Sequence, residues 1–374
     1  MSDFEDKRIF LIGGPGGVGK TTLAASLAIE LAKQGHRTVV LTVDPAKRLA
    51  QALGFDSFHK ELQKVEIKDA KGELFASMLD TKHYFDKLIA RFAGSEQQKQ
   101  RILEHPIYRT MVESLGGTHE YAAMERLLEF AEDKSYDKIV IDTPPSQNAI
   151  DLLTAPQRLA DFMDNSVLKW FQGNVPGYLK LFRTGTKMAM KLLQSVFGAE
   201  FLNSFASFLD NLEGMQSGFR QRHLEVIALL GNPKTAFLLV TAATGERYRE
   251  SLAFLKKIEE QKIHLNALVL NRLEPACPPA TDPAASGLNG SRPLVDAILS
   301  YYSALHAQQQ EWVTSFEKAL PELPVIRIPK QSGSLHEVTT LSKLGGLLLN
   351  SLLRSKDDAD NQSRKPTQTT PMAH

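Results

Sequence analysis

One stretch of this chain dictates its own surroundings. Gly14-Pro15-Gly16-Gly17-Val18-Gly19-Lys20-Thr21 matches the spacing G-x-x-x-x-G-K-[ST]. Glycines at these positions let the backbone curl until successive N–H groups converge on one point, which suits the oxygens of a phosphate. A helix that begins at the end of the loop adds its positive N-terminal end to the site. The chain supplies both flanks. Arg8 to Ile12 is a short apolar run, read as a buried strand, and it enters the turn at Gly13-Gly14. Thr21 to Gln34 carries Leu23, Leu27, Leu31 and Ala24, Ala28, Ala32 at helical spacing, with Gly35 as a natural C′ residue. The candidate triphosphate contacts are therefore Gly14, Gly16, Gly17, Val18, Gly19, Lys20, Thr21 and Thr22. Lys20 is placed to reach the β- and γ-oxygens and Thr21 to ligate Mg²⁺ through its hydroxyl. A glycine turn without a ligand is the structural alternative, and the matching strand and helix weigh against it.

Further apolar runs predict strands at Thr38 to Val43, Leu74 to Leu79, Lys138 to Asp142, Ala236 to Thr241, Ala267 to Asn271 and Val325 to Ile328. Helical stretches separate most of them, which predicts an α/β fold: a mostly parallel sheet of seven or eight strands with helices on both faces, plus a helical subdomain. Because strands recur from residue 8 to residue 328, one domain over 1–354 fits better than two in tandem. Residues 83–132 and 151–230 lack strand-like runs and read as helical insertions. Residues 275–293 hold five prolines and read as a mobile loop, and the polar residues 355–374 as a disordered tail.

Charge and cysteine content narrow the function. With 44 basic against 43 acidic residues the net charge is +1, so no nucleic-acid partner is expected. Cys277 is the only cysteine, which rules out an intrachain disulfide and a cysteine-built zinc site within one chain. The polar N-terminus does not resemble a signal peptide, and no window approaches the roughly 18 to 20 apolar residues of a spanning helix, so a cytoplasmic protein is expected.

Two aspartates follow buried runs. Asp142 closes Ile139-Val140-Ile141, where a second carboxylate for the magnesium ion belongs; the bland alternative is a strand cap. Asp44 ends the second strand, where a carboxylate can position a water opposite the γ-phosphate. Spacing alone does not separate that role from a simple Asp-Pro turn.

Taken together, the phosphate loop, Asp44-Pro45-Ala46 and Asp142-Thr143-Pro144-Pro145 resemble the ATPase family of arsenite-pump motors and tail-anchored-protein targeting factors, whose phosphate loop is of the deviant Walker A type. Gly116-Gly117-Thr118-His119-Glu120-Tyr121 with Ala123-Met124-Glu125 is similar to a stretch of its bacterial members, and Val269-Leu270-Asn271-Arg272 to its adenine-contacting strand end. The resemblance spans roughly residues 8 to 350. It implies ATP and Mg²⁺ as ligands, Asp44 as the water-positioning carboxylate at the end of a first switch, and Asp142 to Ser146 as the opening of a second. It also implies Asn271, with Arg272 beside it, at the adenine, and a homodimer with facing ATP sites whose helical subdomains follow the nucleotide. The family's signature lysine falls at position 15, which is Pro15, leaving Lys47 and Arg48 as candidate replacements. The eukaryotic zinc motif needs a second cysteine, and arsenite capture about three thiolates, so neither is expected with Cys277 alone.

The insert adds a partner hypothesis. Lys180, Arg183, Lys187 and Lys191 fall on one helical stripe, opposite Phe182, Ala189, Leu192, Leu193 and Val196. Residues 165–199 thus read either as a solvated basic face over a core-facing helix, or as a surface for an apolar helical client or an anionic membrane, which would make the protein peripheral to that membrane. Three activities share such a loop: an ATP-driven switch that hands on a client, a positional ATPase of the partitioning type, and a small-metabolite kinase. The polar C-terminal tail speaks against a membrane-anchored positional ATPase, and the large insert against a kinase. Replacing Asp44 separates catalysis from binding. Asp44→Asn is expected to keep ATP affinity and lose roughly 10²- to 10⁴-fold in kcat if it handles the water; turnover at the wild-type rate would make Asp44 a turn residue only.

Overall fold

Burial of the strand before the phosphate loop organises the sheet. The computed structural model describes residues 4–43, 49–50, 53, 62–114, 118–143, 198–212, 214–260, 263–276, 292–331 and 337–363. Within them the strands are β1 (Ile9–Gly13), β2 (Arg37–Thr42), β3 (Leu62–Val65), β4 (Glu73–Ser77), β5 (Lys138–Asp142), β6 (Thr235–Thr241), β7 (Ala267–Leu273) and β8 (Val325–Pro329). The helices are α1 (Lys20–Lys33), α2 (Thr81–Phe92), α3 (Glu96–Leu103), α4 (Pro106–Ser114), α5 (Thr118–Glu132), α6 (Ala199–Asn211), α7 (Gln216–Leu230), α8 (Gly245–Glu260), α9 (Arg292–Ala319) and α10 (Val338–Ser363).

The eight strands form one sheet in the order β3-β4-β2-β5-β1-β6-β7-β8, parallel except for the antiparallel edge pair of β3 with β4. The α/β, mostly parallel reading of the sequence is correct. The edge strand β3 escaped it because Leu62-Gln63-Lys64-Val65 is short and only Val65 is buried. Strands β1, β5 and β6 are buried at every position, which explains why their runs are uninterruptedly apolar rather than alternating.

The chain divides into two compact units: Met1–Met78, Asp133–Ile150 and Gly231–His374 form the first, Leu79–Glu132 and Asp151–Leu230 the second. The first contains the sheet. Its helix α1 buries Leu23, Leu27 and Leu31, worth roughly 1.5–3 kcal/mol each against exposure. It ends in a left-handed Gly35 (φ 105°), with the Gly35 N–H on Ala32 O and the His36 N–H on Leu31 O. Helix α10 packs along α1, and Gly345 sits where a Cβ would lie 2.0 Å from Ser26 O, so only glycine permits that approach. This anchorage carries α10 through Ser363, past the expected start of the tail at 355, because extending a nucleated helix costs little per residue. Likewise α9 begins at Arg292 with Pro293 in its first turn, so the loop expected over 275–293 stops short of 293. The rest of that loop with Cys277, and the tail from 364, lie outside the described residues.

The second unit is helical throughout its described residues. Aromatic side chains fill its core: Tyr84 and Phe85 of α2, Tyr108 of α4, Tyr121 of α5, Phe208 of α6 and Phe219 of α7. Asp80 caps α2 by accepting from the His83 N–H, and Ser95 caps α3 by accepting from the Gln98 N–H. Across α5 and α7 a charged network is buried. Arg222, with its side chain 2% exposed, donates from Nε to Glu125 Oε2 at 2.9 Å and from Nη1 to Glu132 at 2.8 Å and Glu225 at 2.7 Å. Tyr121 donates its hydroxyl to Glu125 Oε1 at 3.1 Å. Burial disfavours the Arg222 charge, but its bonds to Glu125 and Glu132 outweigh this and raise its pKa above the usual range. The Tyr121 hydroxyl is pushed well above its ordinary pKa by burial, with Glu125 adding to it.

The Thr118–Glu125 stretch singled out in the sequence is therefore the frame of this unit. Glu125 is the partner that matters, because Glu132 and Glu225 are 57% and 36% exposed and such partners contribute little. Arg222→Met leaves Glu125 buried against an uncharged neighbour and is expected to cost about 3–5 kcal/mol in chemical denaturation. Removing both charges, with Arg222→Met and Glu125→Leu together, is expected to restore most of that. A single-variant loss below about 1 kcal/mol would mean the network holds nothing together.

Candidate nucleotide site

The carboxyl end of β1 is built to leave no room for side chains. Gly14 has φ 144°, and a Cβ there would lie 1.9 Å from Val240 O of β6. Backbone thus passes over backbone, and β1 is locked to β6 by the register Gly13↔Leu239. The chain then turns through Gly17 (φ 77°) and Gly19 (φ 96°), left-handed positions that a residue with a Cβ resists. Between them Val18 points the other way and is buried in the core of the sheet unit. The loop is therefore pinned at its centre by an apolar side chain, while Gly17 stays exposed.

Gly19 caps α1, whose first turn carries Lys20, Thr21 and Thr22 and no acidic residue. No side chain of that turn neutralises the positive end of the helix dipole. Lys20 is buried, and its Nζ donates to Pro15 O at 3.0 Å across the curl of the loop. Pro15 lacks an N–H and a charge, so its contribution to the loop is this carbonyl.

Asp142 stands at the end of β5, opposite Ile12 in the ladder with β1 and opposite Thr42 in the ladder with β2. Its side chain is fully buried, and Oδ2 accepts from Thr42 Oγ1 at 3.2 Å. Thr143 follows, and both its N–H (3.1 Å) and its hydroxyl (2.9 Å) donate to Ile12 O. The second carboxylate is thus fixed to the strand that delivers the phosphate loop. Thr143 belongs to the Asp142-Thr143-Pro144-Pro145 motif read in the sequence, whereas Thr42 was not singled out there. The one signal for Thr42 is its position as the last residue of an apolar strand run.

From β7 two residues reach the loop. Asn271 is buried and donates Nδ2 to Val18 O at 2.8 Å, lying so close to Gly19 that a Cβ there would meet it at 2.6 Å. Arg272 donates Nη1 to Gly17 O at 2.9 Å. Its backbone is left-handed, φ 62°, a conformation that costs a residue with a Cβ about 1–2 kcal/mol. The structure therefore brings Asn271 and Arg272 to the same loop as Gly14 to Thr22. Asp44 lies outside the described residues, which end at Val43, whose N–H donates to Asp142 O at 3.2 Å. Lys47, Arg48, Pro144 to Ser146 and the basic stripe of Lys180 to Lys191 also lie outside them.

The donor set fits a magnesium triphosphate: a glycine loop in which a Cβ at Gly14 or Gly19 would clash, one buried lysine, a hydroxyl on the first helical turn and a buried carboxylate ending the strand next to β1. No group of three or more His, Cys, Asp or Glu able to hold a metal occurs among the described residues. Nor is any described helix long and apolar enough to cross a membrane.

A parallel sheet with this loop between its central strand and first helix, and with a buried aspartate ending the neighbouring strand, defines a P-loop nucleotide hydrolase. The chain belongs to the anion-transporting ATPase family, whose pattern matches residues 7–350, and it is an ATPase. Among its relatives, ATPase GET3B of Arabidopsis thaliana is 29% identical over 306 residues, 74% of this chain and 68% of that protein. ATPase GET3 of Ajellomyces dermatitidis is 24% identical over 354 residues, 94% of this chain and 92% of that one. ATPase ARSA1 of Chlamydomonas reinhardtii matches 73% of this chain at 25% identity, but only 35% of its own length. Family membership favours the switch reading over the partitioning and kinase readings.

Lys20→Ala removes the charge that β- and γ-oxygens would meet, and is expected to abolish tight ATP binding in calorimetry while the thermal midpoint holds. Thr21→Ala is expected to lose magnesium-dependent turnover. Wild-type ATPase rates in either variant would remove the loop from the chemistry.

Proposed function

We propose that the protein is an ATP-driven conformational switch. Its P-loop would bind ATP with Mg²⁺, and hydrolysis would change how its helical unit meets a client. The observation that carries this reading is the fixed juxtaposition of the phosphate loop with Asp142, through Thr143 on Ile12 O and the β1–β5 register. Lys20 and the N–H groups of Gly16 to Thr21 would hold the phosphates, and Thr21 and Asp142 would hold the magnesium ion, which would supply charge neutralisation for the phosphate oxygens. Asp44 positions the attacking water. Asn271, its amide nitrogen committed to Val18 O, keeps Oδ1 as an acceptor for the exocyclic amine of adenine.

The client reading draws on the helical unit, where Phe201 of α6 and Leu224 and Ile227 of α7 are exposed. Scattered apolar residues are ordinary, but three in the described part of a unit rich in helix formers suit an apolar helix as client, with residues 165–199 adding basic charge. The protein acts as a homodimer in the cytoplasm and meets membranes peripherally. Because Pro15 offers no charge to a partner subunit, the dimer rests on apolar surface more than on nucleotide, and basal hydrolysis is slow.

Capture with the Asp44→Asn variant in ATP tests the client. Proteins bearing an apolar segment of about 20 residues are expected to co-purify and to leave when ATP is replaced by ADP. Retention on anionic vesicles without such proteins would turn the reading toward the membrane surface. Mass measurement in solution tests the dimer: a dimer is expected with ATP, with ADP and with neither, and a monomer that pairs only in ATP would overturn the role given to Pro15.

A further inference from the structure

Arg272 is held in a backbone conformation that its own side chain does not justify. Among the described residues only Asp69 and Arg272 have positive φ outside glycine. Aspartate tolerates this region through local hydrogen bonds, whereas arginine has no such excuse, and strain of this kind persists where the surroundings use it. Nor is the strain repaid by burial, since Arg272 is exposed. Its guanidinium instead reaches the phosphate loop and bonds Gly17 O at 2.9 Å, while Nε and Nη2 lie 3.9 Å from the position of a Cβ on Gly19. Asn271, the preceding residue, bonds the next carbonyl, Val18 O, at 2.8 Å. Two consecutive residues of β7 thus hold two consecutive carbonyls of the loop.

We propose that Arg272 is a positioning residue of the nucleotide site, bracing the loop from its carbonyl side at Gly17 O as Asn271 does at Val18 O, so that the N–H groups of residues 18 and 19, which share those peptide planes, stay aimed at the phosphates. A peptide unit whose C=O is held cannot rotate its own N–H away, and Gly17 and Gly19 have no side chain with which to restrain the loop themselves. The left-handed turn at residue 272 is what redirects the side chain back over the loop at the end of the strand. The guanidinium also places a second positive charge beside the loop, besides Lys20, in a protein whose residue 15 carries none. The inference rests on the reading of Gly14 to Thr21 as the phosphate site.

Arg272→Asn and Arg272→Gly both accept a positive φ but cannot reach Gly17 O, so neither variant is handicapped in folding. Arg272→Lys keeps a single long donor. Calorimetric titration of the full chain with MgATP and, separately, with inorganic tripolyphosphate reads the loop with and without a base. The Asn and Gly variants are expected to lose on the order of 10-fold or more in affinity for both ligands, as for loss of a charged hydrogen bond. Their thermal midpoints should be equal to or above wild type, and Lys should recover part of the affinity. Unchanged affinity for both ligands would overturn the proposal. So would a loss confined to ATP, which would place Arg272 on the nucleoside, or a fall in thermal midpoint in both variants, which would make it a structural residue. A wild-type protein that binds neither ligand would overturn the phosphate-site reading itself, and this inference with it.

Discussion

The passage of Gly14 across Val240 O is the constraint on which the rest depends. Strand β1 lies between β5 and β6 with both faces covered, so its end can turn only where backbone passes backbone without a Cβ between. That single contact fixes where the loop starts. The parallel ladders then bring the ends of β2, β5 and β7 to the same edge, because parallel strands finish together. Asp142 and Asn271 are more than a hundred residues apart in sequence, yet both are placed by register with strands that converge on β1. The chemistry needs a carboxylate and a loop held to within a fraction of an ångström, and buried ladders give that rigidity where surface loops do not.

The two units are stabilised by different means. In the sheet unit the cement is apolar: α1 and α10 pack together, their Leu23, Leu27, Leu344 and Leu348 all lie in one buried core, and Gly345 allows the close approach at Ser26 O. In the helical unit an aromatic core is crossed by the Arg222–Glu125 pair. A buried ion pair is weak as a source of stability, since desolvation offsets much of its attraction, but it tolerates no substitute geometry. Helices joined only by apolar contacts can slide by fractions of a turn at low cost. Helices joined by a buried ion pair such as Arg222–Glu125 are held to one register.

Much of the sheet unit was legible from the sequence because its signals are local. Apolar runs mark seven of the eight strands: β1 and β5 as uninterrupted buried runs ended by glycine or aspartate, β8 as an alternating one, Val325-Ile326-Arg327-Ile328, flanked by prolines. The edge strand β3 was not legible, since Gln63 and Lys64 are polar and leave only two apolar residues to speak for it. The phosphate loop was legible as a pattern, but its bracing was not. Asn271 and Arg272 come from 250 residues away, and no spacing rule connects them to Val18 and Gly17. The Glu125–Arg222 pair was missed for the same reason. Glu125 sits in a stretch that drew attention through resemblance, yet its role depends on a partner on another helix, in a position where arginine reads as one more solvated charge.

The contact between Lys20 and Pro15 also explains why a proline is tolerated in a loop whose work is done by N–H groups. Proline removes one donor, but a donor is not what the loop takes from residue 15. It takes the carbonyl, which lies 3.0 Å from Nζ and keeps a buried ammonium partnered. A triphosphate competes for that same ammonium with charged oxygens, and charge-assisted hydrogen bonds are roughly twice as strong as neutral ones. Residue 15 thus serves as a resting partner for the lysine within its own chain, a role for which side-chain charge at that position is irrelevant.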